Sequence, residues 1–188
     1  MRTQKQLAFY QSILEALPET GCPFCRFLKD YQAARLQSHA DREIQHLCSF
    51  HTWGLAAVQN ALTASQVFID LVKMAVTMPS EEVACDICRE ISAEEDRRIR
   101  EFVGCIHRTD VADWLRRDAV LCLPHGTKLR RHVQPVAAAR VDTILENYRR
   151  QLLEELEILR NTPEADRPGW GSLGRAAEFL VSQRGLHL

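Results

Sequence analysis

Four short motifs in this 188-residue chain carry the residue types that hold metal ions. Cys22-Pro23-Phe24-Cys25-Arg26 is followed by Leu47-Cys48-Ser49-Phe50-His51, and Cys85-Asp86-Ile87-Cys88-Arg89 by Leu121-Cys122-Leu123-Pro124-His125. Both halves read C-x2-C-R … L-C-x2-H, with 22 residues between Cys25 and Cys48 and 33 between Cys88 and Cys122. Leu55 and Leu129 extend the match, each four residues past its histidine. The order looks like a duplicated helical unit. Two sulfurs separated by two residues at a turn or helix start can point at one centre, and a Cys and His three apart share one helix face. One pair of each kind supplies three thiolates and one imidazole, the Cys₃His tetrahedron of structural zinc.

Sequence order groups Cys22, Cys25, Cys48 and His51 around one zinc ion and Cys85, Cys88, Cys122 and His125 around a second. A crossed arrangement, in which each CxxC meets the other half's CxxH, closes longer loops at a cost of only about 1 kcal/mol and is the alternative. Buried packing thiols are common, but eight of the fourteen Cys and His residues fall into this pattern, and packing does not explain paired histidines at matched offsets. Each zinc with three thiolates carries one net negative charge, which Arg26 and Arg89, directly after each CxxC, could offset if they do not simply lie on solvated helix faces.

Other chemistries compete. Three Cys and one His can also hold an iron–sulfur cluster for electron transfer. Cys22-Pro23-Phe24-Cys25 has the form of a dithiol redox motif, yet no βαβ context surrounds it, and a helical dithiol enzyme would want a relay histidine where Leu28 and Ile91 stand. No HExxH pair, phosphate-cradling glycine loop or nucleophile elbow is present, so the residues commit the chain to no reaction. Cys105-Ile106-His107, between the second CxxC and its CxxH, offers a spare ligand, but a single cysteine near a helix end reads as packing, and His39 and His46 read as surface residues. Trp53, Trp114 and Trp170 read as anchors between helices.

The elements that must position these motifs are helical throughout. Apolar residues recur at helical spacing along Leu7, Tyr10, Leu14 and Leu17; along Phe24, Phe27, Leu28 and Tyr31; and along Leu55, Val58, Leu62, Ile69, Val72 and Val76. Ile87, Ile91, Ile99 and Phe102 mark another helix, stopped by Gly104, and Asp113 to Arg117 a short one. The longest stripe, Val141, Leu145, Tyr148, Leu152, Leu156 and Leu159, starts near Pro135 and faces a bundle core. Residues 161–169, with two Pro and a Gly, form a linker. Ser172 then caps a last helix that Gly185 ends. The expected fold is an all-α bundle over residues 1–160, built of two related units (about 1–78 and 79–160) with one metal site each, followed by a linker and C-terminal helix over 161–188.

Composition narrows the function further. The chain is 46% hydrophobic and 26% charged, which fits a globular protein and excludes a disordered one. Its 24 basic and 25 acidic residues nearly cancel, and residues 84 to 188 hold 17 of each, so no one-signed face points to nucleic acid. No stretch reaches the roughly 18 apolar residues of a membrane span. Met1 to Leu7 lacks the apolar core of a secretory leader, and seven cysteines are an odd count for disulfides. These features lead us to expect a cytoplasmic protein whose partners are proteins, with a homo-oligomer allowed.

The order CPxC … C-x2-H … CxxC … C-x2-H resembles a family of uncharacterised, mostly bacterial helical proteins, a domain of unknown function. The resemblance covers Cys22 to His125 and a C-terminal region with a tryptophan near Trp170. Asp86 departs from the proline that family carries in its second pair. The resemblance implies paired Cys₃His metal sites and no particular activity.

Overall fold

A computed structural model of the chain describes residues 21–38, 46–58, 85–117, 119–163 and 171–182, together with positions 11, 65, 68–69 and 71–73. Among these residues the protein is all-α, without a strand. The helices are α1 (Pro23–Ser38), α2 (Ser49–Val58), α3 (Asp86–Cys105), α4 (Thr109–Arg117), α5 (Leu123–His132), α6 (Pro135–Asn161) and α7 (Gly171–Val181).

All four Cys/His motifs open helices. The carbonyl of the first cysteine in each motif accepts the N–H four residues on: Arg26 N to Cys22 O at 3.4 Å, Thr52 N to Cys48 O at 2.9 Å, Arg89 N to Cys85 O at 3.0 Å and Gly126 N to Cys122 O at 2.9 Å. The first cysteine is therefore the N-cap and the second ligand lies in the first turn. Local sequence explains these starts. Pro23 and Pro135 are first helical residues and Pro124 is a second, positions where the missing N–H costs nothing because it would lack a helical partner anyway. Asp86 brings a negative charge to the positive end of α3.

The chain forms two compact units, one of residues 1–26 and 97–184, the other of 27–96 and 185–188. The boundaries between these units fall inside α1 and α3. In the first unit, Phe24 meets the edge of Phe102 with ring centroids 5.2 Å apart, and Phe102 meets Trp114 of α4 at 6.2 Å. Helix α5 lies close against α6: a Cβ on Gly126 would come within 2.7 Å of a Leu145 methyl, so any larger residue there must displace the Leu145 side chain. Helix α7 docks on α6 through Phe179, buried against Tyr148 at 5.6 Å, and through an ion pair of Arg175 with Glu155 at 2.6 Å.

In the second unit, Leu28 and Leu36 of α1, Leu55 of α2, and Ile87 and Ile91 of α3 are buried. Gly54 faces Leu36 closely enough that a Cβ would sit 3.2 Å from its methyl. Arg35 pairs with Glu90 at 2.8 Å and donates from Nε to the Tyr31 hydroxyl at 2.9 Å.

Several expectations shift in detail. Helix α3 runs through Gly104 to Cys105, and α4 starts at Thr109 rather than Asp113. Helix α7 ends at Val181, where Ser182 adopts φ 71°, instead of at Gly185; a single left-handed residue closes the helix as glycine would. Ile69 and Val72 are exposed although their stripe-mate Leu55 is buried, so the shared period marks helix without a common buried face. Trp114 is buried as an anchor should be, whereas Trp53 is 76% exposed and anchors nothing. The stripe of Leu7 to Leu17, His39, Leu62, Val76, Trp170 and most of the linker lie outside the described residues.

Phe102 is 2% exposed and touches both other rings of the first unit's aromatic cluster. Phe102→Ala removes those contacts and leaves a cavity, so it should destabilise the protein by about 3–5 kcal/mol in urea denaturation followed by circular dichroism.

Candidate metal centre

The eight candidate ligands converge in two groups of four, each with its ligand atoms within 4.8 Å of one another. The first group is Cys22, Cys25, Cys122 and His125; the second is Cys48, His51, Cys85 and Cys88. Grouping by sequence order is thereby corrected: each CxxC meets the CxxH of the other half. Helix geometry is the reason. The chain leaves Cys25 along α1, rising about 1.5 Å per residue, and His51 packs against that helix seven residues on, its Nε2 3.4 Å from Oε1 of Gln32. A ligand pair placed there cannot also reach the sulfurs at the helix start. Each group lies wholly within one compact unit.

Distances within each group match the edges of a small tetrahedron. In the first, Cys25 Sγ lies 3.5 Å from Cys122 Sγ, and Nδ1 of His125 lies 3.0, 3.3 and 3.7 Å from the sulfurs of Cys122, Cys25 and Cys22. In the second, Cys48 Sγ lies 3.8 Å from Cys88 Sγ, and Nδ1 of His51 lies 3.3, 3.4 and 3.5 Å from the sulfurs of Cys48, Cys88 and Cys85. A zinc ion with Zn–S of about 2.3 Å and Zn–N of about 2.05 Å sets tetrahedral edges of about 3.8 Å between sulfurs and about 3.6 Å from sulfur to nitrogen. The donor set therefore fits one small ion per group.

Electrostatics makes the same demand. Three thiols this close cannot all ionise without a cation between them, because each thiolate raises the cost of the next. Burial pushes the Cys22 thiol up, but hydrogen bonds from Cys122, Cys25 and His125 outweigh it and hold Cys22 well below the ordinary thiol range. The hydrogen bonds with Cys22 and Cys25, together with burial, push Cys122 far up. In the second group burial again raises Cys48, and the N–H of His51, the thiols of Cys88 and Cys85 and the N–H of Phe50 bring it down. Burial and the neighbouring Cys85 and Cys48 push Cys88 up to about 12. One favoured thiolate beside a reluctant thiol is the pattern of a cluster that needs a cation to ionise fully. Two helix N-termini face each group, each worth about half a positive charge.

Sequence reading missed two supporting residues. Nδ1 of His51 turns to three sulfurs and Nε2 lies 3.4 Å from Gln32 Oε1, so with an ion held on Nδ1 the ring would carry its proton on Nε2 and donate it to Gln32, fixing its direction. No motif surrounds Gln32, so nothing in one sequence could have singled it out. Asp86, visible only as a departure from proline, accepts the His46 N–H on Oδ2 at 3.0 Å, while its own N–H donates to His46 O at 3.0 Å. This reciprocal pair ties the turn before Cys48 to the start of α3. Arg89 pairs with Asp86 at the surface. Cys105 stands outside both groups.

No protein-family model, curated protein or solved structure matches this chain.

Paired substitutions read the grouping directly. Cys22→Ser/Cys122→Ser disables one group and should retain about one ion per chain, whereas Cys22→Ser/Cys48→Ser disables both and should retain none; metal analysis of the purified proteins distinguishes them, and sequence-order grouping predicts the reverse. Because Cys88 is protonated at neutral pH until an ion binds, loading should release protons and affinity should rise with pH. Calorimetric titrations in buffers of different ionisation enthalpy check this.

Proposed function

We propose that the chain is a zinc-stabilised helical scaffold whose partners are other proteins; the duplicated motif and the resemblance to the helical family support its paired metal sites. Two zinc ions, one per Cys₃His group, clamp the starts of α1 and α5 in one unit and of α2 and α3 in the other. The observation that carries this reading is the convergence of four protein ligand atoms within 4.8 Å in each group. Zinc is redox-inert and takes such S₃N tetrahedra readily, and it contributes free energy to folding directly.

A complete protein tetrahedron also speaks to what the centres do. Catalytic zinc keeps one position for water or substrate, and here three sulfurs and one nitrogen fill all four. The compactness of each group supports a single ion over an iron–sulfur cluster, whose ligands bind several iron atoms and so stand farther apart. A free dithiol at Cys22 and Cys25 is disfavoured because both sulfurs face Cys122 and His125 rather than a substrate. Among the described residues no helix is long and apolar enough to cross a membrane, which accords with the cytoplasmic setting we assign.

Protein purified under anaerobic conditions should be colourless and carry about two zinc ions per chain. Brown protein with iron and acid-labile sulfide would overturn zinc in favour of electron transfer, and metal-free protein with rapidly alkylated Cys22 and Cys25 would restore the dithiol enzyme. Cys48→Ala should lose one ion and Cys105→Ala neither. Gln32→Leu should weaken the second centre about 10-fold or more while sparing the first, measured by competition with a chromogenic chelator.

A further inference from the structure

The two groups share a ligand set but not an environment. In the first, the side chains of all four ligands are buried, and only Cys22 keeps intermediate exposure when the residue is taken whole. Phe24, itself 2% exposed, stacks on His125 with centroids 5.6 Å apart and closes one side. Two of the four side chains in the second group, Cys48 and Cys88, are only half-buried. The ring beside His51 there is Phe50, 37% exposed and standing edge-on at 5.2 Å. The two part-exposed sulfurs are also neighbours, 3.8 Å apart.

Solvent access and thiolate character decide which cysteines oxidants reach, and a second sulfur close by decides whether oxidation stops at a reversible disulfide. Side-chain access and a close second sulfur meet at Cys48 and Cys88, whereas the four ligand side chains of the first group are all buried. From this contrast we infer that Cys48 and Cys88 are an oxidation site for peroxides, making the second centre a releasable metal clamp while the first is permanent. This inference rests on the proposed occupancy of both groups by zinc.

The chemistry balances with the peroxide as sole oxidant. One of the two thiolates attacks the peroxide, forming an S–O bond as the O–O bond breaks, and the departing hydroxide takes up a proton to leave as water. The other sulfur then attacks the sulfenic acid; an S–S bond forms, the S–O bond breaks, and a second hydroxide leaves as water with another proton. Two electrons pass from the sulfur pair to the peroxide, whichever sulfur attacks first. Cys85 and His51 remain as the only protein ligands, too few to retain the ion. A dithiol reductant reverses the change by thiol–disulfide exchange, and free zinc then rebinds.

The test treats full-length zinc-loaded protein with hydrogen peroxide, follows released zinc with a chromogenic chelator and maps disulfides by mass spectrometry. A Cys105→Ser protein run in parallel removes the half-buried thiol outside both groups. One ion per chain should leave at least about 10-fold faster than the other, together with a Cys48–Cys88 disulfide, and dithiothreitol with added zinc should restore the starting protein. Release of both ions at one rate, first oxidation at Cys22, Cys25 or Cys122, or a bond confined to Cys85 and Cys88 would overturn the inference. The zinc content measured before peroxide is added tests the underlying reading separately: a chain holding two zinc ions that leave together defeats this inference alone.

Discussion

Three sulfurs held within 4.8 Å of one another cannot all carry negative charge unless a cation sits among them. Everything distinctive in this protein follows from that repulsion. The opposed thiol acidities of Cys22 and Cys122, and of Cys48 and Cys88, show each group sharing out fewer charges than it has sulfurs. A divalent ion held in each group would turn the conflict into an attraction between the two segments that supply its four ligands. Helix N-termini at every ligand pair add to it, since their orphan N–H groups favour negative charge at the same end. A fold held this way can rely on modest cores, such as the aromatic contacts of Phe24, Phe102 and Trp114 or the aliphatic set around Leu28, Leu55 and Ile91.

The crossed grouping shows how little chain entropy weighs against such a bond. Joining Cys25 to Cys122 closes a loop of 96 residues where the sequence-order partner needs 22, a difference of about 1.3 kcal/mol. A zinc ion would contribute equally to either grouping, so the choice lies between this small loop term and the packing of the helices. Rigid geometry decides it. Helix α1 places Gln32 and Leu36 where His51 and Gly54 pack, and α3 places Phe102 where Phe24 packs. Each of these helices opens at a ligand pair belonging to one unit and contributes its later turns to the other. The duplicated motifs thus hold two units that are compact in space yet interleaved along the chain.

Equal ligand sets do not make equal centres. His125 lies under a buried phenyl ring, whereas His51 lies against Gln32 and is flanked by the more exposed Phe50. These surroundings set how readily water and small oxidants reach the sulfurs, and therefore how durable each centre is. Asp86 adds a second asymmetry, since its carboxylate ties the approach to Cys48 to the start of α3.

The sequence by itself determined that the chain is helical and which eight side chains converge. Helical period, proline at helix starts and the i, i+3 spacing of Cys and His are local properties, and local backbone physics is enough to read them: Leu55 and Leu129, matched only by offset, are both fully buried. Tertiary structure alone decided which pairs come together, which residue lies against His51, that Trp53 faces solvent and that Ser182 closes the last helix. Those outcomes depend on the paths of rigid helices through space and on contacts between residues far apart in the chain. A one-dimensional pattern records spacing along the backbone and carries no measure of either.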